Sequence, residues 1–327
     1  MKNFLPEHLP VFIIVCTVLI FIVFGGFLIM KMQSYKAAIA LAWTILIFTT
    51  TGLERLSSQE PAGFRMLVII FAMLFSMKII VSVEAYKNSK KRLSLIQWLA
   101  FTLGWFGMRP ALFESLGRKA LEGGKELIAA GLLKLSAGLL LIACAKWISV
   151  SYSFYGIKFL ITALLLSGIS LVLHFGILNI SAGFWRLQGV DARTLFKAPL
   201  LSTSLSEFWD KRWNIAFSEM TALAVYRPLK NKTGVVIAML MAFLFSGLLH
   251  EMAISIPVKA GFGLPLLYFF IHGMVMLLER QMELKGFPVD KHTWLGRCWV
   301  IAWMLLPVPF LFHKPFIKGI IWPMIGL

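Results

Sequence analysis

Long apolar runs broken by short polar stretches make up most of the chain, and their lengths predict helices that cross a bilayer. Leu9–Met30 is the first run, closed by Lys31; residues 36–53 and 64–83 are the second and third. The third carries Lys78 near one end, where its ammonium is expected to snorkel toward the headgroups. After a basic loop, residues 93–108 make a run of only 16, ending in the Gly/Pro-punctuated turn Gly104-Trp-Phe-Gly-Met-Arg-Pro110. A short crossing and a re-entrant piece both fit it. Residues 111–126 are polar and of mixed charge, a loop or a surface helix. Runs at 127–147, 157–180, 234–256, 264–278 and a Pro-rich 298–312 bring the expected spans to nine.

Between the sixth and seventh runs the pattern changes. Residues 181–232 hold eight Lys/Arg and four Asp/Glu, interleaved with Phe184, Trp185, Phe196, Phe208, Trp209, Trp213 and Phe217. Basic and aromatic residues without a long apolar run predict amphipathic helices lying in the interface.

Composition agrees with this class. Of 327 residues 59% are hydrophobic, mean hydropathy is +0.82, and 14% are charged, against about 25% in soluble domains. The fold class expected is all-α: a polytopic integral membrane protein of about eight or nine transmembrane helices, with interfacial amphipathic helices. The first run is too long and apolar for a cleaved signal and is expected to be retained. No internal repeat is visible. Cys16, Cys144 and Cys298 are widely spaced in or beside apolar segments and offer neither a disulfide framework nor a metal cluster. The net charge of +17 fits a positive-inside bias and anionic lipid headgroups, and would also suit a polyanionic substrate such as coenzyme A. Its spread over many short loops argues against nucleic acid. With nine spans, the loops on the side of the N-terminus hold 19 Lys/Arg and the others 11, which puts the N-terminus and residues 181–232 in the cytoplasm. That parity depends on residues 93–108 crossing.

Candidate chemistry gathers in residues 201–251. His250 is the seventeenth residue from Gly234, about 25 Å along a helix axis. An intramembrane imidazole can take and return a proton near neutral pH; the alternative is a histidine satisfying an interhelical hydrogen bond. Glu251 points about 100° away around the helix and reads as structural. His250-Glu-Met-Ala-Ile lacks the second histidine of a metalloprotease helix, and six scattered histidines are too few for a di-iron site. Ser246 shares the face of His250, so a serine–histidine dyad is geometrically open, beside the reading of Ser246-Gly247 as small residues at a helix contact. Asn214 ends the run Trp209-Asp-Lys-Arg-Trp-Asn; its neutral amide could donate to an oxyanion, with Lys211 and Arg212 meeting phosphates, or the run is an ordinary headgroup-level segment. His174 and His272, each alone on an apolar helix, read as packing or hydrogen-bonding histidines, and one could line the same cavity. Contact between Asn214 and His250 requires the segment to fold back on the span.

Ser206-Glu-Phe-Trp-Asp-Lys-Arg-Trp-Asn214, Tyr226-Arg-Pro228 and Ser246-Gly-Leu-Leu-His-Glu251 together resemble the membrane-bound O-acyltransferase superfamily, in its wax synthase-like branch. Gly107-Met-Arg-Pro110 and Phe196-Lys-Ala-Pro-Leu200 resemble further pieces in the right order, and Lys211 stands where the branch more often has arginine. The resemblance covers roughly residues 105–257. It implies one membrane-embedded domain over 1–327, with N-terminal spans at 1–100, a catalytic core at 105–257 and C-terminal spans at 258–327. The activity implied is an acyl-CoA:alcohol O-acyltransferase with His250 as general base and Asn214 positioning the thioester or its oxyanion. Trp209, Lys211, Arg212, Trp213 and Arg227 would stand at the acyl-CoA entrance, and Ser246 and Glu251 behind the catalytic pair. Acyl-CoA is then a co-substrate, no cofactor or metal is expected, and the acceptor is a lipophilic alcohol: long-chain, sterol or terpenoid. The membrane implied is the cytoplasmic membrane or the endoplasmic reticulum, with acyl-CoA on the cytoplasmic side. An intramembrane serine hydrolase built on Ser246 and His250 and a lipid or small-molecule transporter are the rival classes.

Overall fold

A computed structural model describes residues 2–154 and 156–327, and among these residues there are helices and loops but no strands. The first three helices are α1 (Leu9–Met30), α2 (Tyr35–Leu56) and α3 (Ala62–Tyr86). Pro10 in the first turn starts α1, and Ser34 starts α2 by accepting the Ala37 N–H. α3 is buried along most of its length between α1, α2 and the helix that carries His250.

Next comes α4 (Leu95–Gly104), opened by a capping box in which Ser94 and Gln97 satisfy each other's backbone N–H. Ten residues reach only about 15 Å, half of the hydrocarbon core. The chain then turns back. Lys78 Nζ donates to the carbonyls of Phe101 (2.8 Å) and Gly107 (3.1 Å), and the Tyr86 hydroxyl at the end of α3 donates to Glu114 on the returning strand of chain (2.9 Å). Residues 93–108 are therefore re-entrant and do not cross, the second of the two readings the sequence left open, so eight of the nine runs remain as spans. Lys78 does not snorkel either. It is fully buried, its ammonium 3.8 Å from the centre of the Phe101 ring.

α5 (Gly124–Ser151) and α6 (Ile157–Leu187) form a close pair. Gly124, Gly131, Gly138 and Ala145 recur every seventh residue on the buried side of α5. A Cβ on Gly138 would lie 2.7 Å from the Gly168 carbonyl, and one on Gly183 2.4 Å from that of Gly124, so the backbones touch and larger residues would part them.

Residues 205–212 make a short helix, α7, whose second part has π-helical turns. Beyond Asn214 a helix begins that is continuous to Val258 except at Gly234, where φ 82° and ψ 171° break it into α8 (215–233) and α9 (235–258). The break reverses the chain. Phe217 and His250 would lie about 50 Å apart on one straight helix, yet their rings are 5.4 Å apart. Residues 205–233 therefore dip into the bundle and return, with Leu205, Phe208, Ala216 and Met220 buried, instead of lying flat in the interface as the sequence suggested. α10 (Leu264–Leu284) and α11 (Thr293–Leu305) follow, and the tail packs at the end of the bundle where the chain begins, with Asn3 Nδ2 donating to the Gly319 carbonyl.

Among the described residues, seven helices are long and apolar enough to cross a membrane. α10 is as long, but its last part carries Glu279, Arg280 and Glu283. Because residues 93–108 do not cross, five spans separate the N-terminus from the loop after α6, so the two lie at opposite ends of the bundle, not together. The new parity sharpens the charge bias. Of 32 Lys/Arg, 22 lie toward the end holding residues 31–36, 87–125, 186–232 and 280–297; eight lie toward the other, with Lys78 and Lys134 between. In a cysteine-free background, Gln59→Cys and Gln188→Cys should label from opposite faces of sealed vesicles with an impermeant maleimide. Labelling from one face would restore the nine-span topology.

Candidate active site

His250 sits on α9, one turn after Ser246, and its Nδ1 is 2.8 Å from the Ser246 carbonyl. A carbonyl only accepts, so Nδ1 carries the proton and Nε2 is left with its lone pair. Nε2 makes no hydrogen bond among the described residues. The ring lies between Phe217 of α8 (5.4 Å) and Phe269 of α10 (4.4 Å) and stays half-buried. The arrangement is a histidine oriented by its own helix, with a basic nitrogen facing out of an aromatic slot.

Asn214 is the N-cap of α8. It takes the left-handed conformation (φ 42°, ψ 59°), which asparagine tolerates better than most residues, and its Oδ1 accepts the Phe217 N–H at 3.3 Å. With the oxygen occupied in this way, the Nδ2 end is a free donor. No hydrogen bond joins Asn214 to His250 among the described residues. Phe217 links them instead, its backbone N–H on Asn214 and its ring on His250. The fold-back at Gly234 is what brings the two together.

The neighbouring candidates separate by role. The Ser246 hydroxyl donates to the Ala242 carbonyl (3.0 Å), one turn back along the helix, and has no bond to the imidazole. Glu251 accepts the N–H groups of Gly263 (2.9 Å) and Leu266 (3.4 Å), and so caps the start of α10. Trp209 is pinned: its indole N–H donates to His272 Nδ1 (3.0 Å), while His272 Nε2 donates to the Trp303 carbonyl (3.0 Å). His272 is thus a fully satisfied packing histidine. Trp213 stacks on Phe208 and meets Phe196 edge-on at 4.9 Å, with His174 5.7 Å away. Arg212 is held by Glu207 through Nε (2.8 Å) and Nη2 (2.7 Å), and its Nη1 reaches the carbonyls of Lys197 and Ala198. Glu207 is drawn below the ordinary carboxylate range: burial pushes it up, but the hydrogen bonds from Thr203 and Arg212 outweigh that. Lys211 and Arg227 are exposed, Arg227 close to the Gly234 reversal.

A cavity of about 240 Å³ opens at Ile215, the residue after Asn214, and is lined by Trp105, Arg109, Asp191, Arg193, Lys197 and Glu219 among others. It is bounded by the turn after α4, the loop before α7, and α8. Arg109 pairs with Glu219 at 2.6 Å, and the Arg193 guanidinium, helped by Arg186, holds Asp191 below the usual carboxylate range. Sequence reading assigned no role to Phe217, Phe269, Arg109, Lys197 or Glu219. Only the likeness of residues 107–110 and 196–200 to family segments pointed near them.

Residues 192–271 match the model of the membrane bound O-acyl transferase family. That stretch is similar to the membrane-bound O-acyltransferases. Among curated relatives, a long-chain-alcohol O-fatty-acyltransferase of Simmondsia chinensis is 33% identical over 104 residues, 29% of this chain and 30% of that protein. "Probable long-chain-alcohol O-fatty-acyltransferase 2" of Arabidopsis thaliana is 27% identical over 143 residues, 41% of each chain. The aligned stretches span less than half the length of these relatives. The resemblance read from the sequence to the wax synthase-like branch of this superfamily is borne out. Asn214, Ser246, His250 and Glu251 all fall within the matched residues 192–271.

The capping geometry of Glu251 makes a prediction about stability. Glu251→Ala should lower the thermal midpoint in detergent, at a cost of about 1 kcal/mol, the usual value of a lost cap. An unchanged midpoint would show that the cap carries no stability.

Proposed function

We propose that this protein transfers a fatty acyl group from acyl-CoA to the hydroxyl of a lipophilic alcohol, with His250 as general base. The observation that carries this reading is the free Nε2 of His250, left basic by the Nδ1–H bond to the Ser246 carbonyl, on a ring packed against Phe217, whose backbone N–H the cap residue Asn214 accepts. The relatives' names support the acyl-to-alcohol class, and a long-chain alcohol is the acceptor they favour.

In this scheme Nε2 takes the proton of the alcohol hydroxyl as the oxygen attacks the thioester carbon. The carbonyl oxygen becomes an oxyanion, met by the Asn214 Nδ2–H, which brings no charge into an apolar site. The tetrahedral intermediate collapses, the C–S bond breaks, and the thiolate of CoA recovers the proton from Nε2–H. The products are an ester and CoA, with no acyl-enzyme on the path. Phe217 and Phe269 flank the ring and keep the reacting atoms dry. The donor's phosphates would meet Arg109, Arg193 and Lys197 at the cavity mouth, with Lys211 free nearby and Arg212 bracing the loop. That end of the bundle carries 22 Lys/Arg and is assigned to the cytoplasm.

The geometry disfavours the serine hydrolase. The Ser246 proton is committed to Ala242, and the nitrogen of His250 nearest Ser246 is committed to its carbonyl. Neither is arranged for the serine to pass its proton to the imidazole.

Purified protein should make ester and CoA in equal amounts from palmitoyl-CoA and a long-chain alcohol. His250→Ala should lower kcat by about a thousandfold. Asn214→Gly, which keeps the left-handed backbone while removing the amide, should lower it by about a hundredfold. Ser246→Ala keeps the backbone carbonyl and should retain most of the activity. Free CoA without ester, abolished by Ser246→Ala, would overturn this reading in favour of the hydrolase.

A further inference from the structure

The scheme above leaves Lys78 unused, although it is fully buried in the middle of the bundle. An ammonium in an apolar interior is costly unless its donors are satisfied. Among the described residues no carboxylate lies against Lys78. Its partners are the Phe101 carbonyl (2.8 Å), the Gly107 carbonyl (3.1 Å) and the face of the Phe101 ring. Phe101 belongs to the last turn of α4, where backbone carbonyls have no partner further along the helix. A cation placed there also meets the negative end of the helix dipole. The same broken end is held from the other side by α6, where Trp185 Nε1 (2.8 Å) and the Ser181 hydroxyl (3.2 Å) donate to the Gly104 carbonyl. Lys78 and α6 thus grip the turn of residues 104–110 between them.

That turn has a specific cargo. Trp105, Gly107, Met108 and Arg109 line the cavity at Ile215, and Arg109 reaches across to Glu219 on α8, the helix that Asn214 caps. A methionine at position 78 would fill nearly the same volume but leave both carbonyls unpaired and the turn without its clamp. We propose that Lys78 is a positioning residue: its buried Nζ, donating to two backbone carbonyls, fixes the re-entrant turn that presents Arg109 to the acyl donor. This rests on the acyltransferase reading for its kinetic consequence, though not for its structural one.

The experiment compares full-length wild type, Lys78→Met and Arg109→Ala in detergent by hydrogen–deuterium exchange and by steady-state kinetics. In Lys78→Met the amides of residues 104–110 should exchange at least about tenfold faster, while those of α1, α2 and α9 stay within about twofold of wild type. KM for palmitoyl-CoA should rise about tenfold with kcat within about twofold, the same split as Arg109→Ala, and the double variant should be no worse than either single change. Should Lys78→Met fail to fold, Lys78→Gln carries the comparison. It keeps two N–H donors on a shorter neutral stem and should give an intermediate rise in exchange. Unchanged exchange at 104–110 overturns the proposal, as does a loss confined to kcat. The exchange needs no substrate, so a loosened turn in a protein that makes no ester would leave the clamp standing and sink the acyltransferase reading instead.

Discussion

A backbone polar group inside a bilayer has no water to turn to, so every interruption of a helix at membrane depth must be satisfied by the protein itself. This chain interrupts its helices at Gly104, inside the bundle, and at Gly234, exposed at the basic end about 25 Å along α9 from His250. The first break is gripped by Lys78, Trp185 and Ser181. The second reverses the chain so that α8 packs back on α9. Between the breaks, Asn214 caps an inward-pointing helix start that would otherwise leave N–H groups unpaired. The polar groups proposed to do chemistry are the same ones that make the irregular backbone tolerable.

This double use explains the division of labour among the candidates. Side chains whose hydrogen-bonding capacity is spent on backbone, such as Glu251 on α10 and Arg212 on the 197–198 loop, hold the scaffold. Those with one end spent and the other free, His250 and Asn214, are oriented and still available. Trp209 and His272 complete a pinned wall that ties α7 to α10 and to the Trp303 carbonyl of α11. A reaction joining a charged thioester carrier to an apolar alcohol needs such a place, polar at one end and dry at the other.

Much of the fold was legible because hydropathy is a local property. α1 matched its run to the residue, and α2, α3, α5, α6 and α10 extend theirs by a few residues at one or both ends. Residues 93–108 were ambiguous because 16 apolar residues suit a short crossing as well as a re-entrant turn, and only tertiary contacts to Lys78 and Glu114 decide. Lys78 itself was misread because its partners are carbonyls 23 and 29 residues away, which no charge pattern displays. The reversal at Gly234 rests on one glycine's φ and ψ, so the segment before it looked interfacial when it is inserted. The motifs around Asn214 and His250 were visible in the sequence, whereas the aromatic contacts that bring them together exist only in three dimensions.

A structure of the protein with a thioether analogue of palmitoyl-CoA and a long-chain alcohol would put the proposed chemistry to the sharpest test. The account predicts the alcohol oxygen within about 3 Å of His250 Nε2, the carbon standing for the thioester carbonyl between that oxygen and Asn214 Nδ2, and the CoA phosphates against Arg109, Arg193 and Lys197. An alcohol oxygen bound away from Nε2, or an acyl carbon seated on the Ser246 hydroxyl, would contradict it.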